Sequence, residues 1–141
     1  MKTVIVVVIA AVLTVVTVWL CFMRKKSHKT EDPLLRHIHQ RMIELDPIAK
    51  DVYLVTGDRS FTRNKKMISI CTRRQDGSLY PMNDLMQVAV HELAHVKHDG
   101  DSSHHQDTWL AIFHDLLDRA HVLGICDKTL PVEENYCGTL G

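Results

Sequence analysis

His91-Glu92-Leu93-Ala94-His95 sets two histidines four residues apart with a glutamate directly after the first, the HExxH spacing. On an α-helix, residues four apart lie one above the other at about 6 Å, so His91 and His95 can grip one Zn²⁺ through ring nitrogens at roughly 2.0–2.1 Å. Glu92 then stands beside the metal without binding it. From there it can take a proton from zinc-bound water, whose pKa the metal lowers toward about 7, and pass it to a leaving amine. The chemistry implied is hydrolysis of an amide. The competing reading is a helix that merely carries these three side chains. Leu85, Met86, Val88, Ala89, Val90, Leu93 and Ala94 make the segment apolar nearly all round and hence buried. Ionisable groups buried in such a setting coordinate metals or pair with one another.

The elements that must position this segment are legible in part. Pro81-Met82-Asn83-Asp84 is a helix start with Asn83 as the cap, and the metal helix is expected over residues 83–98. Asp32 as cap and Pro33 as first helical residue open an earlier helix. Its apolar positions are Leu34, Leu35, Ile38, Met42 and Leu45, and Asp46-Pro47 stops it. Two β-rich runs, residues 52–55 and 67–72, follow, and a turn at Asp76-Gly77 into Leu79-Tyr80 predicts a hairpin. The last helix is expected over residues 105–123, ending at Gly124, with Trp109, Ile112, Phe113, Leu116, Leu117 and Ala120 as a core stripe. The fold class expected is α+β: a helix, a short antiparallel sheet, the metal helix and a C-terminal helix.

A catalytic zinc needs three protein ligands and an open position for water, so a further group must come from beyond His95. His105 opens the last helix, where a loop can fold its ring back over the metal helix. His104 is its neighbour and equally allowed by spacing. Asp101 stands six residues after His95, but the arrangement that uses this distance needs a turn-forming glycine where this chain has His98. Asp115 and Asp118 suit a site whose third ligand is an acid on a following helix, although both read as a solvated face. His98, His114 and His121 read as surface or helix-end residues, and His28, His37 and His39 have no ligand spacing.

Residues 4–23, opening at Val4 and closing at Met23, contain no charge, and twenty residues at 1.5 Å each span about 30 Å, the hydrocarbon thickness of a bilayer. Arg24-Lys25-Lys26 and Lys29 follow, against Lys2 alone before, which predicts an uncleaved single-pass anchor with the C-terminal domain in the cytosol. Two regions result, residues 1–29 as anchor and juxtamembrane segment and 30–141 as one small domain. Cys71, Cys126 and Cys137 are an odd set without tight pair spacing, which suits reduced thiols. Formal net charge is zero, so the chain has no global attraction for polyanions. Arg59, Arg63, Lys65, Lys66, Arg73 and Arg74 form a local basic segment, ordinarily a solvated face, and nucleic acid is the minor alternative.

The run from Asn83 through His95 to His105, with Trp109 and Phe113 behind it, resembles the WLM and SprT-like zinc metallopeptidases, whose hallmark is HExxH followed by H-x-x-x-[FW]. Here that second element reads His105-Gln106-Asp107-Thr108-Trp109. Ile70-Cys71-Thr72, Asp76-Gly77, Tyr80, Met82 to His95 and Glu134-Asn135-Tyr136-Cys137-Gly138 are similar to small membrane-anchored proteins of this type encoded by large DNA viruses of eukaryotes. The resemblance, over roughly residues 65–138, implies a small zincin-like domain, a zinc cofactor and His105 as third ligand. It also implies proteolysis, associated in that family with DNA-bound proteins. The expected function is therefore a membrane-anchored zinc metallopeptidase. His91, His95 and His105 hold the metal, Glu92 is general base and then acid, and a peptide lies as an added strand along residues 67–72. Tyr136 is a candidate donor to the oxyanion. A non-catalytic anchored zinc domain that binds a protein or nucleic acid through residues 59–74 is the alternative, and it has no use for Glu92.

Overall fold

The computed structural model describes Met1 and residues 32–100 and 107–138. Helix α1 is Pro33–Leu45. The Asp32 carboxylate accepts the Leu34 N–H at 2.8 Å, and Pro33 contributes a pre-set φ where no intrahelical donor is needed. Leu35, Ile38, Met42 and Leu45 form its buried stripe. Asp46 is forced extended by the proline that follows it, and its carboxylate then caps a 3₁₀ turn, Pro47–Asp51, through the Ile48 N–H at 3.0 Å. Lys97 Nζ reaches the same carboxylate at 2.6 Å. Burial opposes ionisation there, but the Lys97 hydrogen bond and charge hold the Asp46 carboxyl below its ordinary range.

Three strands follow: β1, Tyr53–Thr56; β2, Phe61–Arg63; and β3, Met67–Ile70. Their order is β1-β3-β2, so β3 is central. It runs parallel to β1, with Tyr53 opposite Met67 and Thr56 opposite Ile70, and antiparallel to β2, with Phe61 opposite Ser69 and Arg63 opposite Met67. Asn64 and Lys65, at φ 51° and 54°, are the central residues of the turn between β2 and β3, which the Lys66 N–H closes on the Arg63 carbonyl at 3.1 Å. Helix α2, Met82–Lys97, lies against β2 and β3, and helix α3, Asp107–Val122, packs along α2. Gly124, at φ 64°, closes α3, and the Ile125 N–H returns to the Ala120 carbonyl at 2.8 Å.

The expected fold class needs correction in two respects. The sheet is mixed rather than antiparallel, because β1 and β3 are joined by a crossover through β2 and not by a hairpin. The Asp76-Gly77 turn yields only a single antiparallel bridge, Arg73 to Leu79. Second, among the described residues no helix is long and apolar enough to cross a membrane. The longest, α2 and α3, have 16 residues each, about 24 Å of rise against the roughly 30 Å required. The expected anchor, residues 4–23, lies outside the described residues, and the expectation of a single-pass membrane protein with a cytosolic domain is not retained. The molecule described is a small α+β domain of three α-helices and a three-stranded sheet.

The thiols also differ from expectation. Cys71 and Cys137 form a disulfide across 66 residues, with Cα atoms 6.2 Å apart, and among the described residues the remaining cysteine, Cys126, is free and buried. Parity misled because one cysteine is core filler, leaving a pair that is distant in sequence and adjacent in space. The bond fastens the chain after β3 to the C-terminal segment, where the buried Tyr136 hydroxyl donates to the Cys71 carbonyl. Cys137→Ser is expected to lower stability by about 2–4 kcal/mol, since a loop of this length is costly to close without the crosslink. Chemical denaturation of the variant measures it, and an unchanged midpoint would show the bond to be idle.

Candidate metal centre

Every residue of α2 from Asp84 to Val96 is buried. The helix is held in this position by its polar first turns. Asn83 does not cap it: Pro81 occupies that place without a side-chain bond. Instead Asn83 Oδ1 accepts the Asp127 N–H at 2.6 Å and its amide donates to the Asp127 carbonyl at 3.2 Å. Gln87 donates to the carbonyls of Asp127 and Leu130, and Asp84 accepts the Glu133 N–H at 3.0 Å. These polar groups, of which Asp84 and Gln87 are buried, pair with the main chain of the segment after α3, so that segment and α2 position each other.

Half a helix further on lie His91, Glu92 and His95, which are 7%, 1% and 5% exposed. The ring centroids of His91 and His95 are 5.1 Å apart, with planes at 64°. A zinc about 2.0–2.1 Å from one nitrogen of each ring, at a tetrahedral angle, requires centroids about 5 Å apart. The observed centroid separation matches that requirement. Behind it stands an aromatic wall from α3: Trp109 lies 4.8 Å from each imidazole centroid, and Phe113 is 5.5 Å from His91 and stacked on Trp109. The aromatic residue of the H-x-x-x-[FW] element thus touches both histidines.

Glu92 is held from the opposite side by the sheet. Thr62 Oγ1, in the middle of β2, donates to Glu92 Oε2 at 2.7 Å and lies 3.0 Å from the Glu92 main-chain oxygen. Glu92 Oε1 is buried and has no hydrogen-bond partner among the described residues. Burial raises the carboxyl to about 7, against a smaller lowering by the Thr62 hydrogen bond. A carboxyl poised there can exchange a proton near neutral pH in either direction.

The third-ligand candidates are divided by the structure. His105, His104 and Asp101 lie outside the described residues. Among the described residues, no group of three or more His, Cys, Asp or Glu side chains is placed to hold a metal. Asp115 and Asp118 are more than 60% exposed at their side chains and face Arg119 and Lys128, away from any such role. His98, read from sequence as a surface or helix-end residue, is the C-cap of α2 and is buried there, with Nε2 2.9 Å from Thr108 Oγ1. This bond joins the two ends of the 99–107 connection, and Gly100 is required beside it, since a Cβ there would come within 2.5 Å of the His98 ring.

Three site expectations change. Residues 67–72 cannot receive an added strand over residues 67–70, because β3 is flanked on both sides; the edge beside Glu92 is β2. Tyr136 is buried with its hydroxyl committed to the Cys71 carbonyl, so it does not serve an oxyanion. Thr62 was not found from sequence: Phe61-Thr62-Arg63 is too short to stand out as a strand, and its one signal is the Asn64 turn residue after it. Three of the six residues of the basic segment are engaged within the molecule. Arg74 pairs with Glu133, Arg73 donates to the Gly77 carbonyl, and Lys65 donates to the His98 carbonyl.

Comparison with known proteins finds viral relatives. The chain is 40% identical over 93 residues to the uncharacterized protein 136R of invertebrate iridescent virus 6, a match covering 64% of this chain and 51% of that protein. It is 38% identical over 91 residues to the uncharacterized protein 042R of invertebrate iridescent virus 3, covering 64% of this chain and 56% of that protein. The chain thus spans about half the length of the curated relatives it matches. No family model matches it, and no solved structure matches it significantly.

Proposed function

We propose that this protein is a zinc-dependent metallopeptidase, with His91, His95 and His105 as metal ligands and Glu92 as the group that moves the proton. The observation that carries the reading is the buried His91–Glu92–His95 wall, whose two imidazoles have the separation that one zinc requires. His105 stands four residues before Trp109, and Trp109 lies against both imidazoles, so the chain comes back to the two histidines shortly after His105. Zinc held by these residues would supply a Lewis acid that lowers the pKa of a water toward about 7. Glu92 is the group that would take a proton from the attacking water and return it to the departing amine, while Trp109 and Phe113 pack against the imidazoles. An extended peptide adds to the exposed edge of β2, where main-chain hydrogen bonds hold it beside Glu92. A helix that only bound a partner through a structural metal would gain nothing from a carboxylate with one oxygen bonded to the sheet and the other without a partner.

The test is metal analysis of the full chain together with hydrolysis of an unfolded protein substrate. About one zinc per chain and metal-dependent cleavage are expected. His105→Ala should lose zinc and cleavage, while His104→Ala and Asp101→Ala keep both. Full occupancy in His105→Ala with loss in one of the others would reassign the ligand, and absence of zinc from the wild type would end the reading.

A further inference from the structure

We propose that Thr62 is a positioning residue for Glu92, setting the carboxylate that the peptidase reading uses as its base. The proposal rests on that reading for its chemistry and on three observations for its geometry. The first is the asymmetry at Glu92: Oε2 is fixed by Thr62 Oγ1 at 2.7 Å, and Oε1 has no partner among the described residues. A carboxylate bonded through one oxygen keeps the other for substrate chemistry and loses the freedom to rotate away.

The second is the rigidity of the donor. Thr62 is the central residue of β2, in register with Ile68 of the interior strand, and a β-branched side chain has few χ1 choices on a strand. Its hydroxyl is also 3.0 Å from the Glu92 main-chain oxygen, so it refers the carboxylate to the backbone of its own helix. The third is a second tie between the same two elements: Lys65, in the turn that ends β2, donates to the His98 carbonyl at the end of α2. The edge strand is thus fastened to the metal helix at two places, its middle and the turn that follows it. Since β2 is also the edge on which a peptide would add, one short strand would orient both the substrate and the base that acts on it, and a displacement of about 1 Å at a base can cost about a hundredfold in rate.

The test uses the full chain, three single substitutions and one double variant. Thr62→Val removes the hydroxyl at nearly constant shape, and Thr62→Ser restores it. With zinc near one per chain, Thr62→Val is expected to lower kcat by about 10- to 100-fold while KM changes by less than about threefold, and Thr62→Ser should recover most of the loss. A readout independent of activity is the coupling between Thr62→Val and Glu92→Met in the unfolding of the metal-free protein. The two substitutions should fall short of additivity by at least about fivefold in the unfolding equilibrium constant. Additive effects, or a Thr62→Val enzyme as fast as the wild type, would overturn the proposal and leave the peptidase reading standing. A wild type that binds zinc and cleaves nothing would remove the peptidase reading and the positioning role together, with any coupling then marking a purely structural bond.

Discussion

Glu92→Gln is expected to keep about one zinc per chain and to lower the rate of peptide hydrolysis by about 10²–10⁴-fold. The amide preserves the shape of the side chain and can still accept from Thr62, so the metal ligands and the packing of α2 are undisturbed. What is lost is the capacity to hold a proton between water and amine. The same variant carries a second, opposite signature in the metal-free protein. Burial raises the Glu92 carboxyl from 4.5 to about 7, so the folded state holds a proton that the unfolded chain has released. Stability therefore declines as pH rises from the unfolded value toward 7, by roughly 3 kcal/mol at most, and the deficit persists above it. Glu92→Gln cannot ionise and removes that deficit. Above pH 7 the metal-free variant should be more stable than the metal-free wild type, with the difference vanishing below about pH 4. Hydrolysis at the wild-type rate would show that Glu92 is not the base. Equal stability at pH 8 would show that its carboxyl is not strained by burial.

The helix that carries the candidate site was legible because His91, Glu92 and His95 and the apolar residues around them form one contiguous stretch. HExxH fixes its own geometry once the segment is helical, and the absence of a polar face predicted that the helix would be buried, as Asp84 to Val96 are. Helix α1 was readable end to end because Asp32-Pro33 and Asp46-Pro47 act on the backbone locally. What stayed hidden depends on contacts between distant residues. Asn83 has every local qualification for a cap and instead bonds Asp127, 44 residues away. The parallel pairing of β1 with β3 cannot be inferred from two β-rich runs, which hairpin logic joins antiparallel. Cys71 and Cys137 pair across 66 residues, and no spacing rule reaches that far. Thr62 is the instructive omission, because a single threonine in a three-residue strand acquires a role only when the sheet delivers it to Glu92.

Trp109→Ala is expected to be the most damaging single change to the fold, and to damage the proposed metal site with it. The indole is 2% exposed and lies between α2 and α3, where truncation to a methyl leaves a cavity that two packed helices cannot close. Such losses run to about 3–5 kcal/mol, a large share of the roughly 5–15 kcal/mol that holds a domain of this size. The site suffers because the same ring lies 4.8 Å from the centroids of both His91 and His95, and it is stacked on Phe113, which backs His91. Without it the imidazoles gain rotamers that do not meet at one ion, and a weakening of zinc affinity by about 10- to 100-fold is expected, as for other residues that orient metal ligands. Trp109→Phe keeps an aromatic face against the histidines and a smaller void, so it should recover most of the zinc affinity but only part of the stability. Denaturant unfolding and competition against a chelator of known affinity separate the two effects. If Trp109→Ala unfolds within about 1 kcal/mol of the wild type, the helix pair does not depend on the indole. If zinc affinity falls equally in Trp109→Phe and Trp109→Ala, the ring acts only through the general stability of the domain and not by holding the imidazoles.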